Sequence, residues 1–321
     1  MKTARANSNI AFIKYWGNAD NTLRIPVNPS ISMNLDGIHT TTSVRWDDSL
    51  TSDSLVLNGK ETTGQALDRV SQHLDILRKR ANIQTYAEVI SSNNFPMGAG
   101  IASSAASFAA LTAAAAAAAG LDLSEQELTT IARLGSGSAS RSIPTGYVEW
   151  HQGTDHASSY AESIATPEYW DLRDVVAVVS EAHKEVGSRQ GHTTANTSDL
   201  QAARVSGAVE RLRIVKQAIL ERDFAPFAEV VEYDSNLMHA VMMTSRPPLF
   251  YWQPATLSVM AKIRQLRQGG LDVCYTLDAG PNIHCICTAE AAETVVRELQ
   301  AIDGVQDTLI AKPGTGVLII S

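Results

Sequence analysis

The chain has 321 residues with 44% hydrophobic content, which is enough for a sizeable core and for two lobes sharing a cleft. Its net charge of −8 argues against nucleic acid or an anionic membrane surface as the main partner, although a few cleft arginines would still bind a small anion. The number and spacing of the three cysteines indicate small buried residues and not a disulfide framework. The N-terminal apolar stretch is too short for a signal peptide, so we expect a cytoplasmic protein without a membrane span.

The predicted elements alternate irregularly along the chain. Strands are predicted at 8–16, 28–37, 40–46, 85–90, 146–150, 175–180, 272–278, 284–288 and 317–320. Helices are predicted at 64–80, 105–120, 124–133, 202–220, 224–243, 256–268 and 289–302, with a polar loop and helix start at 135–142. Without regular βαβ spacing, this order predicts an α+β fold with helices packed on largely antiparallel sheets. A polar stretch at 181–192 predicts a boundary between lobes 1–183 and 184–321.

The segment 91–104, SSNNFPMGAGIASS, is typical of a phosphate-binding loop. Gly98 and Gly100 let backbone N–H groups approach an anion, and the Ala-rich helix that follows directs its positive end into the same loop. Ser103 and Ser104 add hydroxyls for phosphate oxygens or a metal bound to them. The loop lacks the GK[ST] of a P-loop and does not fit GxGxxG. Composition alone equally allows a Gly/Ser turn before a buried helix.

Three further clusters carry reactive side chains. Lys14 lies in an apolar strand, IKYWG, where a lysine is usually an edge residue that reaches water. Ser136, Ser138 and Arg141 share the segment GSGSASRS, which could also be a helix cap with an exposed arginine. Asp278 precedes a Gly-Pro turn in TLDAGPN, where an acid is more often a turn residue than a catalyst. Each cluster alone has an ordinary structural explanation.

Together these motifs resemble one family. Residues 96–105, PMGAGIASSA, are similar to motif 2 of the GHMP kinase superfamily, P-x-G-x-G-L-x-S-S-A. IKYWG, NNFPMGAGIASSA, GSGSASRS with GYVEW, DSNLMHA and DAGPN follow the order seen in the mevalonate diphosphate decarboxylases. The resemblance implies a GHMP kinase fold, with a ribosomal protein S5 domain 2-like N-terminal lobe, a ferredoxin-like C-terminal lobe and the active site between them. It also implies a homodimer.

The resemblance further implies an ATP- and Mg²⁺-dependent decarboxylase of the mevalonate pathway of isoprenoid biosynthesis. Such an enzyme phosphorylates the tertiary 3-hydroxyl of its substrate, and the phosphate then leaves together with CO2. Asp278 matches the acid beside the 3-hydroxyl, Arg141 the arginine that holds the carboxylate, and Lys14 the lysine near Asp278 and the transferring phosphate.

Other positions are carried over from the family in the same way. The implied substrate-binding residues are Tyr15, Asn18, Arg69, Ser136, Ser138, Arg141 and Asn196. The implied ATP-binding residues are Asn93, Gly98, Gly100, Ala102, Ser103 and Ser104. Ser104 is also the implied contact for the metal.

Two positions depart from the family pattern. Asn18 stands where these enzymes usually carry a second lysine, and Asn196 where they carry an arginine; both cations bind the substrate's diphosphate. We therefore expect mevalonate 5-phosphate as substrate and isopentenyl phosphate as product, in an alternative mevalonate pathway. Mevalonate 5-diphosphate is the alternative, since Lys184 or Arg189 could restore the charge. A kinase that stops at the 3-phosphate and an inactive nucleotide-binding protein are the rival hypotheses.

Overall fold

The computed structural model describes residues 1–95, 103–180 and 188–321. Its strands are β1 Lys2–Ile13, β2 Asn18–Asp20, β3 Ile25–Pro26, β4 Ser30–Asp47, β5 Ser54–Leu57, β6 Lys60–Glu61, β7 Tyr86–Asn93, β8 Tyr147–Trp150, β9 Ala161–Ala165, β10 Leu172–Val178, β11 Val273–Thr276, β12 Ile283–Thr288, β13 Asp307–Pro313 and β14 Leu318–Ile319. Its α-helices are α1 Gln65–Ala81, α2 Ser103–Ala118, α3 Glu125–Gly135, α4 Ser188–Thr194, α5 Gln201–Ser206, α6 Ala208–Glu221, α7 Phe224–Thr244, α8 Pro254–Gln268 and α9 Ala292–Gln300. Short 3-10 turns lie at Gly137–Ser142, Ala195–Thr197 and Ala289–Ala291.

One large sheet runs through the described parts of the chain, with its main path in the order β11-β12-β10-β13-β4-β7-β5-β6. β1 pairs with β4 and β14, and β8 pairs with β4 and β9. Neighbouring strands are antiparallel apart from β5 and β7. The predicted α+β fold on a largely antiparallel sheet is therefore confirmed.

β4 is the longest strand and corrects one prediction. The segments 28–37 and 40–46, predicted as separate strands, belong to this single strand. Gly37 has a φ of 91°, and the register against β1 shifts there, so the chain bulges and continues instead of turning back. The uninterrupted strand can then pair with β1 on one side and with β7, β8 and β13 along the other.

β10 to β13 form the second half of the sheet. β10 lies between β12 and β13, and β13 reaches β4 through the pairs Lys312–Asp36 and Pro313–Leu35. β13 and β9 were not predicted, because short strands with mixed polar residues lack a clear period. The lobe boundary at 183 stays a prediction.

Buried helices cover the sheet. α2 consists mostly of alanines, most of which are buried, and these small side chains let the helix lie close to β1 and β4. α3 begins with the predicted capping box, since the Ser124 side chain accepts from the Glu127 N–H and the Glu127 carboxylate accepts from the Ser124 N–H. Both predicted helices are confirmed.

β10 to β12 pack against a core on each face: Cys274 lies in the core under α6 and α7, and Cys285 and Cys287 lie in the core under α8 and α9. Cys274, Cys285 and Cys287 are buried thiols on β11 and β12, as expected for small apolar residues. α8 and α9 pack against the same strands. Among the residues that the structure describes, no helix combines the length and the apolar character that a bilayer crossing requires.

Candidate active site

Two predicted catalytic residues form an ion pair. Lys14 follows the apolar strand β1, and Asp278 follows β11, so the two strand ends bring these distant residues together. Lys14 Nζ lies 2.7 Å from Asp278 Oδ1. The Lys14 side chain is only 1% exposed, whereas the Asp278 side chain is 23% exposed. The carboxylate therefore presents one side to a small molecule.

The two charges perturb each other's ionisation. Burial by itself raises the pKa of Asp278, but Lys14, His284 and Arg141 outweigh burial and hold that pKa below its usual value. Burial lowers the pKa of Lys14 by more than the neighbouring Asp278 raises it. Asp278 is thus a carboxylate and a weak base at neutral pH.

Helix α7 fixes the backbone beside both members of the pair. Asp234 Oδ2 accepts from the Lys14 backbone N–H at 2.7 Å, and Ser235 Oγ accepts from the Leu277 N–H at 2.9 Å. Arg211 Nε donates to the other carboxylate oxygen of Asp234 at 2.6 Å. These positioning residues were missed, although the DSN motif that contains Asp234 and Ser235 was the available signal.

A second buried arginine supports the strand end that carries Lys14. Arg204 Nη2 donates to the Trp16 carbonyl at 2.6 Å and to Asn28 Oδ1 at 2.9 Å. Gln201 Nε2 donates to the same carbonyl at 2.8 Å. Burial lowers the pKa of Arg204 to about 10, so it remains charged at neutral pH. Its role has no sequence signal, because an arginine in an amphipathic helix usually faces water.

Arg141 lies on the 3-10 turn Gly137–Ser142, which Asn9 fastens to β1. Asn9 Nδ2 donates to the Ser138 carbonyl at 3.2 Å and to Ser142 Oγ at 2.8 Å. Arg141 is 2% exposed and donates from Nη1 to Ser30 Oγ at 2.8 Å. Its Nε is a buried donor without a hydrogen-bond partner in the described part of the chain. Arg141 is therefore buried, and the alternative of a helix cap with an exposed arginine is wrong.

Tyr15 forms a wall of the site between two aromatic rings. Its ring centroid lies 4.7 Å from that of Trp150 and 4.1 Å from that of His192, which stacks on it. A Cβ at Gly137 would lie 2.5 Å from the Tyr15 ring, so only glycine allows the 3-10 turn to pack here. Burial raises the pKa of Tyr15 to about 12, which keeps its hydroxyl protonated. His192, an unpredicted member, also accepts from the Gly17 N–H at 3.0 Å.

The predicted substrate-binding asparagines lie in different surroundings. Asn18 accepts from the Tyr15 hydroxyl at 2.5 Å and donates to Asn21 Oδ1 at 3.0 Å. Asn196 is exposed on the turn Ala195–Thr197, and no hydrogen bond in the described ranges links its side chain to another predicted site residue. Asn18 thus joins the site through Tyr15, while Asn196 is exposed and its neighbour Ala195 packs against Trp16.

Two cavities meet at Arg69, whose guanidinium lies 5.0 Å from the centroid of the Phe108 ring. One cavity of about 180 Å³ includes Ser104 and Ser107 near the start of α2. The other, of about 400 Å³, includes Arg24 from the turn after β2. Ser104 and Ser136 join the cavity region to the active site, with 3.1 Å between their hydroxyl oxygens.

The remaining predicted nucleotide contacts are only partly placed. Asn93 Oδ1 accepts from the Thr40 hydroxyl at 2.5 Å, at the end of β7. Gly98, Gly100 and Ala102 lie outside the described residues, as does the side chain of Ser103. In the ranges that the structure describes, no group of three His, Cys, Asp or Glu residues could hold a metal ion.

Comparison with known proteins identifies related sequences and structures. The model of the diphosphomevalonate decarboxylase-like N-terminal domain matches residues 6–161, and that of the mevalonate 5-diphosphate decarboxylase C-terminal domain matches residues 174–312. A diphosphomevalonate decarboxylase of Candida albicans is 42% identical over 294 residues, covering 85% of this chain and 80% of the relative.

Solved structures agree with these sequence matches. The crystal structure of mevalonate diphosphate decarboxylase from Staphylococcus aureus has a TM-score of 0.95 and 38% identity, covering 100% of this chain and 98% of that one. A complex described as MDDEF with MVAPP, AMPPCP and magnesium has a TM-score of 0.94 and 34% identity, with the same coverage. The predicted GHMP kinase fold is confirmed. The narrower prediction of a monophosphate variant is not supported, since the named relatives are diphosphate enzymes.

Proposed function

Because the chain belongs to the diphosphomevalonate decarboxylase family, and is therefore a decarboxylase enzyme, we propose that it acts on mevalonate 5-diphosphate. With ATP, the reaction yields isopentenyl diphosphate, ADP, phosphate and CO2. The observation that carries the proposal is the 2.7 Å ion pair between Lys14 and Asp278, with Arg141 close enough to lower the pKa of Asp278. This group offers an acceptor for a hydroxyl and a cation for a carboxylate.

A second candidate substrate is mevalonate 5-phosphate, with isopentenyl phosphate as product. One observation favours it: Asn18 is neutral, and both ends of its amide are engaged by Tyr15 and Asn21. A position that supplies a diphosphate-binding lysine in the family therefore brings no charge of its own here. The names of the relatives favour the diphosphate, which we take as the main proposal.

In the first step, Asp278 orients the 3-hydroxyl of the substrate for attack on the γ-phosphorus of ATP. Phosphoryl transfer passes through a loose transition state in which positioning and electrostatics carry most of the catalysis. The hydroxyl then gives up its proton late, and a carboxylate with a lowered pKa is sufficient to accept it. Lys14 holds this carboxylate in place and adds positive charge near the transferring group.

In the second step, the C3–O bond breaks and phosphate leaves with the bonding electrons. Asp278 first passes the accepted proton to the transferred phosphate, and the carboxylate so restored stabilises the positive charge that develops at C3. The bond between C1 and C2 then breaks, CO2 departs, and the electron pair forms the C2–C3 double bond. Arg141 orients the C1 carboxylate for this loss, since its buried Nε is a donor without a partner in the described residues.

We place the phosphates of ATP at the start of α2, at the polar end of a cavity whose lining is otherwise mostly apolar. Ser104 contributes a hydroxyl, and the N-terminus of α2 contributes the positive end of a helix dipole. The MDDEF complex with AMPPCP and magnesium supports the same ligands for this chain. Mg²⁺ would shield the phosphate charges, and the Ser104 hydroxyl is our candidate for its protein contact.

The test is the release of ADP and CO2 by the purified protein with ATP and Mg²⁺. Mevalonate, its 5-phosphate and its 5-diphosphate are offered in parallel. We expect the highest kcat/KM with the 5-diphosphate and one CO2 for each ADP. A higher kcat/KM with the 5-phosphate would transfer the proposal to the second candidate. ADP without CO2 would leave a 3-kinase, and no ADP with any substrate would leave an inactive nucleotide-binding protein.

We further propose two structural features that the family resemblance implies. The lobes divide near residue 183, and the protein forms a homodimer. Light scattering coupled to size exclusion measures the mass in solution. A mass of 34.5 kDa, that of one chain, would contradict the dimer.

A further inference from the structure

The cavity of about 400 Å³ has a cationic lining. Arg24 contributes from the turn after β2 and Arg69 from α1, and the described lining residues include no aspartate or glutamate. Asn21, Thr22 and Gln72 add neutral polar groups. A concave space with two guanidinium groups and no competing carboxylate suits a compact anion such as a phosphate.

This cavity adjoins the active site. Its lining residue Gly135 directly precedes Ser136, and Asn21 is hydrogen-bonded to Asn18, which accepts from the Tyr15 hydroxyl. After burial, which raises the pKa of Tyr15, Arg24 is the charge that lowers it most. The positive charge of Arg24 therefore acts on the same hydroxyl that Asn18 engages.

The turn that carries Arg24 is held in one conformation. The N–H of Leu23 donates to Asp20 Oδ1 at 2.8 Å, and the carbonyl of Leu23 accepts from Arg133 Nε at 3.0 Å. Arg133 itself is fully buried. The residue before Arg24 is thus fixed from both sides, so the arginine loses little backbone freedom when it binds an anion.

His73 on the cavity wall is neutral and cannot bind the anion itself. The Thr112 hydroxyl donates to the Phe108 carbonyl at 2.6 Å, so the 2.8 Å contact between His73 Nε2 and Thr112 Oγ1 requires Nε2 to be the donor. His73 Nδ1 then carries no hydrogen, and it has no hydrogen-bond partner in the described ranges. Burial first, and then Arg24 and Arg69, lower the pKa of His73 to about 3. Anion binding therefore depends on the two arginines.

We propose that Arg24 is a specificity-determining residue that binds, together with Arg69, the outer phosphate of the substrate's head group. Asn18 keeps the turn next to Tyr15 but brings no charge, and Arg24 supplies the cation from six residues further along. The inference rests on the proposed function, because that function defines the head group. It explains how a chain with Asn18 can still use a diphosphate substrate.

The test compares Arg24→Gln with Arg222→Gln. Arg222 is a matched control because it also has a positive φ, 57° against 50° for Arg24, and it lies over the Tyr169 ring instead of the cavity. In Arg24→Gln we expect the KM for mevalonate 5-diphosphate to rise roughly ten- to a hundredfold. The KM values for ATP and for mevalonate 5-phosphate should stay within about twofold, since neither molecule loses a contact to its phosphates. Arg24→Lys should recover part of the loss, and Arg222→Gln should match the wild type.

Several results would overturn the proposal. An unchanged KM for the diphosphate would remove Arg24 from the head-group site. A rise confined to ATP would assign Arg24 to the nucleotide. Wild-type turnover of the monophosphate alone would mean that no outer phosphate is bound.

Binding of inorganic pyrophosphate by calorimetry gives a readout that does not depend on turnover. Arg24→Gln should weaken this binding by the same factor as it raises the KM, while Arg222→Gln should not change it. If the wild type turns over none of the substrates, the proposed function fails, yet a selective loss in Arg24→Gln still supports the anion site. Equal pyrophosphate affinity in wild type and Arg24→Gln would overturn the anion site even if the decarboxylase activity is found.

Discussion

The catalytic ion pair and the cavity lined by Arg24 and Arg69 differ in how the fold supports their charged side chains. Lys14 and Asp278 lie at the ends of two strands of the main sheet, and the backbone beside each is bonded to helix α7. Arg24 instead extends from a short turn between two minor strands and is half-buried. The first arrangement involves many elements of the fold, whereas the second depends on one turn.

This difference separates the reaction from the choice of substrate. A buried ion pair is costly to disrupt, because a charge left without its partner in the interior is strongly destabilising. A charge at the rim of a cavity can be lost or moved to a neighbouring position at small cost to stability. Under our proposal, a cation supplied by Arg24 instead of by position 18 is a change of the second kind. We expect substitutions in the two regions to differ accordingly.

The largest effect is expected for Asp278→Asn. Loss of the carboxylate removes the acceptor for the 3-hydroxyl and the negative charge near C3, so kcat should fall by about a thousandfold or more. The melting temperature should fall as well, because Lys14 is left buried without its partner, so ADP and CO2 release would be measured together well below the unfolding transition. The control is Asp171→Asn, an exposed acid paired with Arg173. Turnover near the wild-type rate would refute the role of Asp278.

Replacing Lys14 by methionine should lower kcat by roughly a hundredfold and change its pH dependence. Lys14 is the main charge that opposes burial at Asp278, so its loss raises the pKa of that carboxyl. Asp278 then becomes protonated at higher pH, and the acid limb of the kcat/KM profile moves upward. Lys14→Arg keeps the charge and should keep the limb in place. An unmoved limb in Lys14→Met would mean that Asp278 does not titrate in this profile.

Asp234→Asn tests a residue that positions Lys14 and does not itself react. It leaves Arg211 buried without its ion pair, so the free energy of unfolding should fall by about 3–5 kcal/mol. Urea denaturation measures this loss, and kcat should fall about tenfold as Lys14 becomes less ordered. Glu210→Gln, which breaks an exposed pair with Arg213, is the control and should leave both quantities unchanged. Equal effects of the two substitutions would refute the positioning role of Asp234.

The smallest effect is expected for Asn18→Lys. An added ammonium group near Tyr15 should raise kcat/KM for mevalonate 5-diphosphate by roughly tenfold, the value of one charge-assisted hydrogen bond. Asn196→Arg should do less, because Asn196 is exposed and a charge there is screened by solvent. Competition between the two phosphorylated substrates measures the change in preference. No gain from Asn18→Lys would place the outer phosphate away from Tyr15.

Local patterns predicted local structure well. The capping box at Ser124 and the alanines of α2 have their causes within a few residues, and both helices were predicted. The continuity of β4 was not predicted, because a glycine between two strand-like segments also fits a turn. β13 was missed because its partners lie far away in sequence, and partners decide whether a short mixed segment forms a strand.

Site residues with a local sequence motif were likewise predicted, and one without such a motif was not. Lys14, Arg141 and Asp278 were selected through their motifs, and the structure brings Lys14 within hydrogen-bonding distance of Asp278. No local signal marks Arg24, since an arginine in a polar turn usually faces solvent. Only the packing of its turn against α1 and α3 brings it to the cavity with Arg69. Sequence patterns do not reveal which residues without a motif are brought to the site by tertiary packing.

The pairing of β1 with β14 affects how the protein folds during synthesis. Ala4 and Arg5 pair with Ile319 and Leu318, so one edge of the first strand is completed by residues made almost a full chain length later. β4 likewise pairs with β13, which is also synthesised much later. Nascent domains usually fold from the N-terminus as they leave the ribosome. We therefore expect the segments of β1 and β4 that pair with β14 and β13 to remain unpaired until those strands have been synthesised.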